Sequence, residues 1–179
     1  MFSLLIASLL VTGGFEAGGR IGVAFPNSGL ENSHNATALF GINLGYAFGP
    51  SRFTLDYGYI GLQAKQASPY RFDIHELSAG YGQDFVVGRA ADGSPSSWGF
   101  DASAAAGYGL LSRMLGSARE TGRAPAGHIG VGFFQRQGHS RFSLGLDNIV
   151  FIESEPGGSA RVVSLAYLIA LKGGVTYVF

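Results

Sequence analysis

The stretch Ala38-Leu39-Phe40-Gly41-Ile42-Asn43-Leu44-Gly45-Tyr46-Ala47-Phe48, then Gly49-Pro50-Ser51, then Arg52-Phe53-Thr54-Leu55-Asp56-Tyr57-Gly58-Tyr59, decides the fold. Ala38, Phe40, Ile42, Leu44, Tyr46 and Phe48 fall on one face of an extended chain, and Gly41, Asn43, Gly45 and Ala47 on the other. Strand side chains point alternately to opposite faces, so this period of two gives one apolar face and one small or polar face. Gly-Pro-Ser is a turn signal. Beyond it Phe53, Leu55, Tyr57 and Tyr59 share one face, and Arg52, Thr54, Asp56 and Gly58 the other. The two segments read as a hairpin.

Working outward, the same period predicts about eight strands. The first covers about Phe15 to Phe25, with Ile21, Val23 and Phe25 aligned, and the fourth about Arg71 to Phe85, with Leu77, Ala79, Tyr81 and Phe85 aligned. The fifth runs from Trp98 to Leu110 and the sixth from about Ala126 to Gln135. The seventh covers about Arg141 to Ile152 and the eighth about Arg161 to Phe179. These lengths approach the roughly 9–11 residues that a tilted membrane-spanning strand needs. With the N-terminus periplasmic, the connections at 49–51, 86–97 and 136–140 are periplasmic, and those at 26–36, 63–70, 111–125 and 153–160 are outer loops. Short periplasmic turns and longer outer loops belong to such barrels.

Composition narrows the class. Charged residues are only 13% of the 179, glycine numbers 29 and aromatics reach 13%. Glycine at that density opposes helices, since each costs up to about 1 kcal/mol in a helix interior. Twelve basic and twelve acidic residues leave no net charge, so nothing points to a nucleic-acid binder, which favours a strongly basic face. The absence of cysteine excludes disulfide scaffolds and thiolate metal sites. Residues 1–14 read as a signal-peptide remnant, because the apolar run Leu4 to Val11 has the length of an h-region. The domain expected is then 15–179.

A soluble barrel would put its apolar face inside and many charges outside. Here the second face carries Gly, Ala, Ser, Thr, Asn and few charges, which suits the narrow lumen of an eight-stranded barrel. The large residues then face lipid. Aromatics recur beside each short turn: Phe48 and Phe53, Phe85 and Trp98, Phe133 and Phe142, with Tyr177 and Phe179 at the same level. That is a girdle at a membrane interface. The fold class expected is all-β, a closed antiparallel up-and-down transmembrane barrel.

The ending Lys172-Gly173-Gly174-Val175-Thr176-Tyr177-Val178-Phe179 resembles the C-terminal β-signal of outer-membrane proteins, with Lys172, Gly174, Tyr177 and Phe179 on its positions. Phe15-Glu16-Ala17-Gly18-Gly19-Arg20-Ile21-Gly22-Val23-Ala24-Phe25-Pro26 resembles the first strand of small barrels similar to outer membrane protein X and the transmembrane domain of outer membrane protein A. The resemblance implies a Gram-negative outer-membrane location, recognition by the barrel-assembly machinery and contact with outer-membrane lipid and lipopolysaccharide. A barrel of this kind is expected to be monomeric. No peptidoglycan-binding domain follows Phe179 here, so anchoring of that sort is not expected.

Alternation places Asp56, Glu76, Asp84, Asp101, His128, Asp147 and Lys172 on the lumen face, with Arg52, Arg136 and Arg141 near the periplasmic mouth. Buried charges must be paired and hydrogen-bonded, so a lumenal ion-pair network is expected. Lys172 is expected to pair with Asp101, Glu76 or Asp147. Arg113, Arg119 and Arg123, in the third outer loop with Glu120, are candidate contacts for lipopolysaccharide phosphates, which arginine binds in bidentate fashion.

Lipid A deacylases share this scaffold and use a His-x-Ser pair with a later Glu. None of the four histidines has a serine two residues on: His34 is followed by Ala36, His75 by Leu77, His128 by Gly130 and His139 by Arg141. His139-Ser140 with Glu153 is a near match, but adjacent strand residues point to opposite faces. No metal-ligand spacing occurs, and no cofactor is expected. The expected protein is therefore non-enzymatic, structural or surface-binding through its outer loops. A lipid A-modifying enzyme and a channel for small or hydrophobic solutes are the alternatives; eight strands leave little lumen for the latter.

Overall fold

A computed structural model describes residues 13–27, 34–65, 70–89, 96–115, 118–154 and 163–179, with side chains described at these positions except 70–71, 113–115, 118–120, 153–154 and 163–166. Eight strands form it: β1 (Gly13–Asn27), β2 (Thr37–Phe48), β3 (Ser51–Gln63), β4 (Tyr70–Arg89), β5 (Ser96–Leu115), β6 (Ala118–Gln137), β7 (Ser140–Ser154) and β8 (Val163–Val178). Each pairs antiparallel with its sequence neighbours, and β8 closes on β1, so the sheet is a closed up-and-down barrel. Closure satisfies the backbone groups that an open edge would leave unpaired in lipid, each at a cost of several kcal/mol.

The decisive hairpin forms as its pattern predicts. Phe48 pairs with Ser51 and Tyr46 with Phe53. Gly49 has φ of 60° and Gly138 φ of 57°, the left-handed region that glycine enters without a Cβ penalty. Each opens a two-residue turn, Gly49-Pro50 and Gly138-His139, that reverses the chain at the periplasmic end.

Three strands outrun their predicted limits. β4, β5 and β6 each span 20 residues. At about 3.3 Å per residue and a tilt near 45°, each rises about 45 Å. The apolar band of an outer-membrane barrel is about 25 Å tall, so these strands project beyond it. The segment 111–125 is therefore no loop: its residues pair from Leu111↔Gly122 to Leu115↔Ala118. Above the membrane a strand needs no apolar outer face, which is why Arg113, Arg119, Glu120 and Arg123 hid it. At the other end β4 continues to Arg89 through a register shift between Val86 and Gly88, shortening the turn expected at 86–97. β1 starts at Gly13, two residues before the expected domain boundary, and the expected signal remnant otherwise lies outside the described residues.

The outer wall is apolar. Ile21, Ile42, Leu44, Tyr108, Ile129 and Val131 are each at least 60% exposed to the surroundings of the isolated chain. A water-facing surface of that kind would far exceed the few hundred Å² that soluble monomers tolerate, so the barrel sits in a bilayer. The periplasmic girdle forms ring contacts: Phe48–Phe53 at 5.3 Å, Trp98–Phe133 at 6.1 Å and Tyr177–Phe179 at 5.1 Å between centroids.

The lumen departs from expectation. Small and polar residues were expected throughout it. Instead its extracellular half is filled by large apolar side chains, including Leu39, Ile60, Leu62, Phe72, Ile74, Leu111, Ile149, Phe151 and Leu168, all nearly or fully buried. Runs such as Tyr59-Ile60-Gly61-Leu62 and Val150-Phe151-Ile152 are apolar on both faces, so one half of each run turns inward while the other meets lipid.

Candidate functional site

Beneath the apolar half, the lumen carries nearly all the buried charge. Its periplasmic tier centres on two carboxylates. Asp84 accepts from Arg52 Nη1, from Arg141 Nη2 at 3.1 Å and from Arg136 Nη2 at 3.5 Å. Asp101 accepts from Arg141 Nη2 and faces Arg52 Nη2 at 3.5 Å. The Arg141 guanidinium also lies 4.8 Å from the centroid of the Phe134 ring, which is 1% exposed. Two carboxylates thus hold three guanidinium groups, whose planar forks suit shared carboxylates.

The middle tier holds Arg20 Nη1 donating to Asp56 Oδ1 at 3.1 Å. Nearby, His128 Nε2 meets Glu76 Oε1 and His128 Nδ1 faces Asp147 Oδ2 at 3.8 Å. Lys172 Nζ donates to the same Asp147 carboxylate. The structure therefore brings together Glu76, His128, Asp147 and Lys172, and of the three partners expected for Lys172 it selects Asp147. Asp56 and Asp101 belong to separate pairings. Between the tiers is a cavity of about 120 Å³, lined by Glu16, Arg20, Asp56, His128, Arg141 and Lys172 among others. Among the described residues, Glu16 Oε1 and the Nε atoms of Arg20 and Arg141 have no hydrogen-bond partner. The space is polar and large enough for several waters.

Glu16 and Arg20 were missing from the sequence reading. Their signal was present: Ile21, Val23 and Phe25 face out, so alternation turns Glu16 and Arg20 inward. Glu16 is 3% exposed.

Of the arginines expected to meet lipopolysaccharide, Arg113 and Arg119 lie in β5 and β6, paired with Glu120 and Met114, and their side chains are outside the described residues. Arg123 is exposed on β6, opposite Leu110. All three are strand residues, which corrects their placement in a loop. Of the β-signal positions, Lys172 points into the lumen, Gly174 pairs with Arg20 and Ser143, and Tyr177 and Phe179 are 47% and 73% exposed on the outer wall.

The histidine chemistry can be read residue by residue. Both ring nitrogens of His128 face carboxylates. His75 Nδ1 bonds the Tyr57 hydroxyl at 2.8 Å. His139 Nδ1 meets the Val178 carbonyl at 2.9 Å. His139 sits at the periplasmic turn and Glu153 near the far end of β7, about 46 Å away at 3.3 Å per residue. They cannot share a catalytic centre. Among the described residues no group of three or more His, Cys, Asp or Glu side chains could hold a metal ion.

No protein-family model matches the chain, and no curated protein matches it. Solved structures do. Neisserial surface protein A superposes with a TM-score of 0.71 at 18% identity, covering 93% of this chain and 97% of that one. The N-terminal β-barrel domain of Pseudomonas aeruginosa OprF gives 0.52 at 14% identity, covering 93% and 99%. Ail, the attachment invasion locus protein of Yersinia pestis, gives 0.51 at 11% identity, covering 93% and 97%. The fold is that of the small eight-stranded outer-membrane β-barrels. With its lipid-facing wall, the chain has the fold of an outer-membrane barrel of the OmpX/OmpA-like kind.

Proposed function

We propose that this barrel is a non-enzymatic outer-membrane protein with a plugged lumen. Its role is structural, or depends on binding surface partners through the extracellular ends of its strands and loops. The observation that carries this reading is the two-part filling of the lumen: Leu62, Ile74, Phe151 and Leu168 pack fully buried in the outer half, and the Asp84–Asp101 arginine cluster spans the inner half. An apolar packed layer has no path for hydrated ions, and eight strands leave a bore only wide enough for side chains. The engaged histidines and the separation of His139 from Glu153 weigh against acyl-ester hydrolysis. Exposed Arg123, above the apolar wall, supports contact with lipopolysaccharide phosphate. Lys172, Gly174, Tyr177 and Phe179 serve as the assembly signal, the part of 1–14 that precedes β1 as the signal-peptide remnant, and the barrel works as a monomer.

The test is planar-bilayer recording of the refolded protein, paired with mass spectrometry of lipid A from cells with and without it. The reading expects no conductance steps and an unchanged acylation profile. Discrete openings would replace it with a channel, and a lost or added acyl chain with an enzyme.

A further inference from the structure

The outer wall across β8, β1, β2 and β3 is indented where its neighbours bulge. Gly19 and Gly173 face out from the seam between β1 and β8, with Ile21 paired to Gly173 and Val175 paired to Gly19. Across β1, Phe40 pairs with Ile21 and Ile42 with Gly19. Two glycines thus floor a groove of about 660 Å³ whose sides are Ile21, Phe40, Ile42 and Val175. Those four side chains are 50–66% exposed, so the groove opens to the lipid and not to the lumen.

The groove has a polar rim on one side. Tyr57 and Tyr59 line it from β3. The Tyr57 hydroxyl meets His75 Nδ1 at 2.8 Å, and the Tyr59 hydroxyl donates to Asp73 Oδ1 at 2.9 Å. The His75 ring lies 5.0 Å from that of Tyr59. These side chains are on the outer wall toward the extracellular ends of β3 and β4. Polar and charged groups on a lipid face are disfavoured at the midplane and cost little near the interfaces, so this rim suits the outer-leaflet interface.

An apolar trough ending in hydroxyl and imidazole groups matches one acyl chain with its ester linkage. The chain would lie over the glycines, and the ester carbonyl would accept from the Tyr57 hydroxyl, with His75 Nδ1 donating to the Tyr57 oxygen. The rim is on the extracellular side, where the lipid of an outer membrane is lipid A. We propose that this groove is a seat for one ester-linked acyl chain of lipid A.

The glycines make the proposal testable without damaging the barrel. A Cβ on Gly19 would meet only the Gly41 carbonyl, at 3.9 Å, and one on Gly173 only the Ser143 carbonyl, at 3.7 Å. Both are ordinary contacts, so Gly19→Leu fills the trough and leaves the backbone in place. Gly127, on the far wall, meets nothing within 4 Å, and Gly127→Leu is the matched control. Folding of each variant is checked by heat-dependent gel mobility. Each folded protein is then incubated with purified lipid A, or with phosphatidylethanolamine, in detergent and examined by native mass spectrometry. One lipid A should persist on the wild type and on Gly127→Leu, and its occupancy should fall at least tenfold in Gly19→Leu. Equal lipid A occupancy in Gly19→Leu and Gly127→Leu overturns the seat. Equal retention of phosphatidylethanolamine and lipid A by the wild type overturns the assignment of the occupant.

Discussion

Arg20 on β1 donates to Asp56 on β3 at 3.1 Å, across the intervening β2 and through the lumen. The two strands are not neighbours, so the bond is a chord of the barrel and ties curvature to charge. Both side chains are largely buried, at 16% and 11% exposure. Removing one member of a buried pair leaves the other uncompensated, typically at about 3–5 kcal/mol. Arg20→Met should therefore lower unfolding free energy by that order in urea titrations of the barrel in vesicles. The double variant Arg20→Met/Asp56→Leu should recover most of it. Additive losses in the double variant would show that the two residues do not act as a pair.

Lys172 and Asp147 form a second pairing, between adjacent strands. Lys172→Met strands a carboxylate that is 5% exposed beside His128. The expected loss is again about 3–5 kcal/mol. Lys172 also sits on the assembly signal, so stability should be measured on protein refolded in vitro, where the cellular machinery is absent. An unchanged thermal midpoint would remove the pair from the account of stability.

In the outer half of the lumen, Phe151 is fully buried and its ring packs toward Gly109. Phe151→Ala should cost about 3–5 kcal/mol through lost burial and the cavity left behind. Gly109→Ala would bring a methyl to 2.8 Å from the ring and should also destabilise, by about 1–3 kcal/mol. Combining the two should cost less than the sum, because truncating Phe151 makes the space that the added methyl fills. Strict additivity in equilibrium unfolding would place the two residues apart.

Gly107 and Gly127 separate packing from composition. A Cβ at Gly107 collides with the Leu77 carbonyl and the Ser78 backbone, whereas one at Gly127 meets nothing within 4 Å. Gly107→Ala should lower the yield of folded barrel in refolding assays, while Gly127→Ala should leave it unchanged. Equal yields would show that the close approach at Gly107 relaxes freely.

β1 sets a limit on signal processing. Gly13 pairs with Phe48, and the Phe15 carbonyl accepts from Phe179 N at 2.9 Å. Cleavage should fall at or before the bond preceding Gly13, so that closure is intact. Intact mass of protein extracted from outer membranes should show a mature chain that begins at or before Gly13. A mature chain beginning after Gly13 would contradict this limit.

Much of the architecture was legible from local pattern. The hairpin at Gly49-Pro50, the outward faces of β1 to β8 and the girdle residues all follow from period two and turn chemistry, which act within a few residues. The loop reading of 111–125 failed where the strands leave the membrane, because the apolar signal belongs to lipid contact and ends with it. The lumen was legible by side and not by content. Asp56, Glu76, Asp101, His128, Asp147 and Lys172 were placed inward from alternation alone, yet Arg20 and Glu16 went unread in a glycine-rich strand, and the apolar layer was hidden in runs with no alternation.

By itself the sequence determined that this chain forms strands, which of their faces meets lipid and where most of them turn, because those properties depend on neighbours one or two residues away. Only the tertiary structure decided that Arg20 meets Asp56, that Lys172 chooses Asp147, and that Phe151 closes over Gly109. Those contacts depend on the stagger between strands and on the closing of β8 against β1, and no local period carries that information.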